Sequence, residues 1–225
     1  PEPVATTVEL SEGHAVYKDE TDLPEIQPEP EKTPQDILAW AEEAVDFHPD
    51  AQQTELMTSE AKTVLLLGGR QTGKSTAAAV RVVYEAVHHA NATILLAGPT
   101  GRQSGQIMEK ARQMAKRLDL SLAGPPPGCD GFQLPNGSRV ISLPDSESTI
   151  RGFSAPRLIV VDEAAFASDE LFKALKPMLA VSNGAMLLLS TPNGQSGYFY
   201  EQWHDKTAAV HRIFLPAAAC ARIDR

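Results

Sequence analysis

Cysteine is almost missing from this chain: Cys129 and Cys220 are the only two among 225 residues. Two cysteines cannot lay down a disulfide framework, and this pair lacks metal-ligand spacing. A stapled secreted scaffold and a zinc site are both excluded as the basis of the fold. No apolar run approaches the roughly 18 residues needed to span a bilayer. Pro1 to Leu10 carry neither the basic start nor the apolar stretch of a signal peptide. These absences predict an intracellular, reduced, soluble protein with no membrane partner. Aromatics are scarce too, at 6%, and they do not interleave with basic residues, so stacking on single-stranded bases is not indicated. What remains, 42% hydrophobic, suffices for one large domain or two small ones with a self-sufficient core.

The net charge of −9 is unevenly spread. Residues 1–35 hold nine acids against Lys18 and Lys32, a net −7, which leaves −2 for residues 36–225. Bulk charge therefore neither demands nor excludes a nucleic-acid partner. Residues 1–32 also hold five of the 17 prolines and no sustained apolar period. Residues 1–35 read as an acidic, proline-rich arm, compatible with a few ordered turns around Val16, Tyr17 and Leu23. The domain proper is expected over 36–225. Its first helix begins near Thr33, with Thr33 as N-cap, Pro34 at the first helical position and Asp36 completing a capping-box-like pattern. Ile37, Leu38, Ala41, Ala44 and Val45 then repeat at helical spacing.

Beyond Lys62 strands and helices alternate. Thr63–Leu67 is a short apolar run ending at Gly68-Gly69, as a buried parallel strand does, and a helix follows from about Lys74 to His89. Thr93–Ala97 is the next strand and Gln103–Leu118 the next helix. Phe132–Leu134 and Ser138–Leu143 flank Pro135-Asn136-Gly137, a hairpin signal. Leu158–Val161 is a strand ending at Asp162-Glu163. Helix 168–180, strand Ala185–Ser190, helix 197–207 and strand His211–Leu215 complete the pattern. The alternation predicts an α/β fold, a mainly parallel central sheet with helices on both faces.

The sharpest local signal is Gly68-Gly69-Arg70-Gln71-Thr72-Gly73-Lys74-Ser75, which fits G-x-x-x-x-G-K-S/T. Glycines let the backbone curl so that several N–H groups converge on phosphate oxygens, and the helix that starts at the loop's end adds its positive terminus. Thr76 extends the set. Lys74 would reach the β and γ phosphates, and the Ser75 hydroxyl would ligate Mg²⁺. The second half of such a site is an acid at a neighbouring strand's tip. Asp162 would hold the metal through water, and Glu163 would polarise the attacking water. The pair favours ATP hydrolysis over kinase chemistry. A plainer role, capping the helix that follows, is open to the same two acids. The fold expected is thus a P-loop NTPase of the ASCE type.

Further motifs resemble one family. Ser190-Thr191-Pro192-Asn193-Gly194-Gln195-Ser196-Gly197-Tyr198-Phe199-Tyr200, followed by Trp203, resembles the S-T-P-x-G-x-x-G-x-F-Y-x-x-W signature of phage terminase large subunits, the ATP-driven motors that package viral DNA. Thr149-Ile150-Arg151-Gly152 resembles that family's arginine turn, and Arg70 stands where its phosphate loop often carries arginine. Phe47-His48-Pro49-Asp50-Ala51-Gln52-Gln53 looks like its adenine-recognition segment. The likeness covers about residues 36–222.

The resemblance implies roles residue by residue. Gln53, or Gln52 if the register differs by one, would read the adenine edge; an ordinary polar residue opening a helix is the plain alternative. Arg151 would be the arginine finger inserted by a neighbouring subunit, with Arg70 a competitor acting in cis. Ser190 and Thr191 would sense the γ-phosphate and couple its loss to the rest of the domain. The implied partners are double-stranded DNA, a homo-oligomeric ring, by resemblance a pentamer, on the portal protein, and the small terminase subunit. The implied setting is the cytoplasm of the infected bacterial host. Family members continue into an RNase H-like nuclease; no strand-borne acids for it remain before Arg225, so an ATPase domain without cleavage activity is expected.

For DNA contact, helix 103–118 and its entry carry Arg102, Lys110, Arg112, Lys116 and Arg117 against Glu109. Arg112, Lys116 and Arg117 fall opposite the apolar stripe, a phosphate-contacting face or simply a solvated one. Two other readings stay open: a helicase-like DNA-dependent ATPase fragment, and a nucleotide-binding docking module without turnover.

Overall fold

The computed structural model describes residues 9–11, 14–16, 36–125, 129–143, 153 and 155–216, and the side chains of these from residue 36 on, other than those of 101–103. Residues 1–31 and 32–225 form separate compact units. In the first, β1 (Glu9–Ser11) and β2 (His14–Val16) pair antiparallel. Val16, where an ordered turn was expected, lies in β2, and Tyr17 and Leu23 lie outside the described residues.

The larger unit opens with helix α1 (Ile37–Val45) and helix α2 (Ala51–Thr58). The cap of α1 is Asp36, whose carboxylate accepts from Leu38 N at 3.0 Å, so the helix starts later than the Thr33-Pro34 signal implies. Thr33 and Pro34 lie outside the described residues. Strand β3 (Thr63–Gly68), helix α3 (Lys74–His88), strand β4 (Thr93–Ala97) and helix α4 (Gly101–Arg117) follow. Strands β5 (Asp130–Gln133) and β6 (Arg139–Ser142) form the expected hairpin. Then come β7 (Leu158–Asp162), α5 (Asp169–Ser182), β8 (Ala185–Ser190), α6 (Tyr198–His204) and β9 (His211–Leu215).

Seven strands make one sheet in the order β5-β6-β4-β7-β8-β3-β9, parallel throughout except for β5 against β6. Strands buried on both faces need apolar residues at every position, and Leu158–Val161 and Thr93–Ala97 are buried from end to end. Their alternate side chains feed two cores. Val64, Leu66, Ile94, Leu96, Val160 and Leu189 pack under α1 to α4. Leu65, Leu95, Ile159, Val161 and Leu188 pack against Phe172, Leu175 and Met178 of α5 and Phe199 of α6. Helices therefore cover both faces, as the alternation predicts. Strand β8 separates the strand that feeds the glycine loop from the strand that ends in the acid pair. Both C-terminal ends lie on the same sheet edge, which is where open α/β sheets bind ligands.

Candidate nucleotide site

Strand β3 runs into the loop at Gly68. A Cβ there would sit 2.9 Å from Leu215 O, and Gly69 N donates to the same carbonyl at 3.2 Å. Glycine lets β9 close on the loop's base. Thr72 Oγ1 donates back to Gly69 O at 2.9 Å and pins the loop across its width. Gln71 and Gly73 take left-handed φ values of 61° and 81°, the kind of alternation that builds a concave nest of amides. Gly73 is the N-cap of α3 and offers no side chain to it, so no cap competes with an outside anion for the helix's first amides. Lys74 is 7% exposed and folds back to donate to Gly69 O at 2.6 Å and Gly68 O at 3.2 Å. Burial lowers its pKa, while Glu163 and Asp162 pull the other way.

Asp162 ends β7 and is 4% exposed. Its Oδ2 accepts from Ser75 Oγ at 3.1 Å and its Oδ1 from Glu163 N at 3.0 Å. Burial raises its pKa, and the neighbouring Glu163 adds to the rise against the pull of those hydrogen bonds and of Lys74. Glu163 adopts φ 51°, ψ 44°, a left-handed conformation uncommon for a residue with a Cβ. Its Oε2 accepts from Thr191 Oγ1 at 3.0 Å and Thr191 N at 3.2 Å. Ser190 Oγ accepts from Ala165 N at 3.1 Å and donates to Thr191 O at 2.8 Å. The plainer alternative, that the two acids only cap the helix that follows, does not hold for α5. The cap of α5 is Ser168, a 3₁₀ turn (Ala164–Phe166) intervenes, and Glu163 makes no side-chain cap bond.

Loop and acids line one cleft of about 340 Å³. Its further walls were missed from sequence: Gln106 and Lys110 of α4. Lys110 Nζ donates to Thr76 Oγ1 at 2.9 Å. Helical spacing places the two on one face, but only the packing of α4 against α3 aims that face at the cleft. Arg70 is exposed at the rim.

Gln53 reaches the same loop from α2. It is fully buried; its Nε2 donates to Thr72 O at 3.3 Å and its Oε1 accepts from Asp50 N at 3.1 Å, within a capping box. Both ends of the amide are thus engaged, and Gln52 is half-buried beside it. Along α4, Arg112 is bound to Asp130 Oδ1 at 2.6 Å and Gly131 O at 2.8 Å, whereas Lys116 and Arg117 are exposed. Arg151 and the side chain of Arg102 lie outside the described residues. Two hard oxygen donors 3.1 Å apart, Ser75 Oγ and Asp162 Oδ2, fit the oxygen preference of Mg²⁺.

A family model described as an AAA domain matches residues 50–196. The terminase large subunit of Thermus virus P23-45 is 28% identical over 178 residues, covering 71% of this chain and 36% of its own length. The chain thus spans 36% of the length of that curated relative. The large terminase ATPase domain of Thermus phage P74-26 superposes with a TM-score of 0.65 at 22% identity, covering 81% of this chain and 85% of that one. The large terminase of a thermophilic bacteriophage, solved in complex with ADP, gives a TM-score of 0.65 at 12% identity, over 79% of this chain and 48% of that one. The fold is that of P-loop ATPase domains of large terminases, and with its family model matched from residue 50 to 196 the chain belongs to the AAA domain family.

Proposed function

We propose that residues 36–225 form the ATP-hydrolysing motor domain of a phage terminase large subunit, driving double-stranded DNA into a procapsid. The observation that carries the reading is the Ser75–Asp162 hydrogen bond, which joins the phosphate loop to the acid pair across the inserted strand β8. Lys74 would leave the loop carbonyls for the β and γ phosphates, and the amides of 69–76 would hold the phosphate chain. Mg²⁺, held by Ser75 and by Asp162 through water, would neutralise charge on the phosphates. Glu163 orients the water that attacks, and a carboxylate in that role contributes about 10² to 10⁴ in rate. Arg151 of a neighbouring subunit, or Arg70 in cis, offsets charge in the transition state.

The bond between Glu163 and Thr191 supplies a route for coupling. The group that activates water is tied to the end of β8, so a change at the γ-phosphate is felt at Ser190 and Thr191. Gln52 or Gln53 would meet the adenine. Backbone contacts suffice for a motor indifferent to sequence; Arg102, Arg112, Lys116 and Arg117 are the candidates. A ring on the portal, fed by the small terminase subunit in the host cytoplasm, would multiply a modest grip per subunit. The test is ATP turnover by the purified chain with and without linear double-stranded DNA. Stimulation of several-fold, lost in the double variant Lys116→Ala/Arg117→Ala, supports the reading. Turnover indifferent to DNA across chain concentrations contradicts the motor role.

A further inference from the structure

We infer that Lys110 is a phosphate-binding residue of the nucleotide cleft, a second ammonium delivered by α4 in addition to Lys74. The inference rests on the reading that a nucleotide binds here. Lys110 and Gln106 stand one helical turn apart and both line the cleft, while Ile107, Met108 and Ala111 between and beside them are buried in the core. The helix is thus anchored on one side and presents these two polar side chains on another. Lys110 Nζ meets Thr76 Oγ1 at 2.9 Å, and Thr76 follows Lys74 and Ser75 in the first turn of α3.

What sets Lys110 apart is its counter-charge. Lysine ammonium groups usually remain in water. This one is half-buried, and its single hydrogen-bond partner among the described residues is a neutral hydroxyl. The other described bases of α4 behave differently: Arg112 is paired with Asp130, and Lys116 and Arg117 are exposed. A partly dehydrated cation with no paired anion is unfavourable by itself. Burial lowers the pKa of Lys110, with Asp162 acting in the opposite direction. A polyphosphate in the cleft provides the missing charge through short, charge-assisted hydrogen bonds. Lysine carries three donors, so Lys110 keeps Thr76 while donating to phosphate. Because the Thr76 oxygen accepts from Lys110, its own O–H is left to donate toward the same anion.

The test is calorimetry on the full chain with ADP and with a non-hydrolysable ATP analogue, both with Mg²⁺, for wild type, Lys110→Met, Lys110→Arg, Lys74→Ala and the exposed-site control Lys173→Met. Loss of a charged hydrogen bond is expected to weaken binding by about tenfold to a hundredfold in Lys110→Met. Lys110→Arg should retain affinity, and the affinity of Lys110→Met should fall less steeply with salt than that of wild type. The nucleotide-free Lys110→Met protein should melt no lower than wild type, since the substitution removes a half-buried charge that has no ion-pair partner among the described residues. If Lys110→Met melts early, the Lys110→Arg affinity and the wild-type salt slope decide: an Arg variant as weak as Met overturns the inference. Binding by folded Lys110→Met within twofold of wild type also overturns it, and if Lys74→Ala loses binding in that same experiment, the nucleotide reading itself survives. No heat from folded wild type removes both.

Discussion

Glu163 makes the chemistry of the site concrete. Its left-handed φ of 51° turns its carboxylate away from the helix that follows and onto Thr191. Replacing it with glutamine keeps the shape and removes the charge that, on the proposed reading, polarises the attacking water. Glu163→Gln is expected to bind Mg-nucleotide within a few-fold of wild type by calorimetry while turnover falls about a hundredfold or more. Gly68 gives a second prediction of a different kind. Its missing Cβ is what allows Leu215 O to approach, so Gly68→Ala forces β9 away from the loop. A loss of about 1 to 3 kcal/mol in chemical denaturation is expected, as for other overpacked sites, together with weaker nucleotide binding. The residues of the loop and the acid pair were legible in the sequence because their roles depend on spacing over a few positions. Lys110 and the Glu163–Thr191 bond were not, because each depends on which helix or strand lies alongside.

Among the elements, α3 shows how the site is fixed from behind. Glu85 near its end is 4% exposed and pairs with Arg157 at 2.6 Å, Arg81 at 2.8 Å and His89 at 3.2 Å. Burial alone would raise its pKa, but Arg81, then Arg157 and His89, overcome this and hold it below the ordinary carboxylate value. A depressed folded-state pKa gives stability that is full above the unfolded value of about 4.3 and is lost as pH falls through the folded one. Thermal melting of wild type should therefore fall as pH drops below about 4.5, and Glu85→Gln should flatten part of that slope. At neutral pH the same substitution leaves two arginines short of a partner and should cost about 2 to 3 kcal/mol, or about 5 to 10 °C in melting temperature. The elements themselves were legible where the signal was redundant. Strands β3, β4, β7 and β8 are apolar runs stopped by glycine, proline or acid, and these appear within a residue of expectation. Helix α1 starts at Ile37, where the Asp36 carboxylate accepts from Leu38 N and caps it. The helical character of Ala51–Thr58 has almost no apolar periodicity behind it; its capping box and the burial of Leu56 and Met57 hold it.

At the scale of the whole molecule, the sheet order is what brings a motif at 68–75 together with one at 162–163 and a third at 190–191. Alternating strands and helices predicted a parallel sheet, but nothing local to any strand says that β8 lies between β3 and β7. If the proposed arginine is Arg151 of a neighbouring subunit rather than Arg70 in cis, turnover per chain should rise with chain concentration, and Arg151→Ala should abolish the rise. Mixing Arg151→Ala with Glu163→Gln should restore part of the activity, since each supplies what the other lacks.

Phosphate release from ATP by the purified, folded chain, with Mg²⁺ and with Mg²⁺ chelated, compared with Lys74→Ala, probes the shared requirement most directly. The site built from residues 68–75 and 162–163 predicts Mg²⁺-dependent release by wild type and a loss of about a hundredfold or more in Lys74→Ala. Equal background release from both proteins, unaffected by chelation, would contradict it.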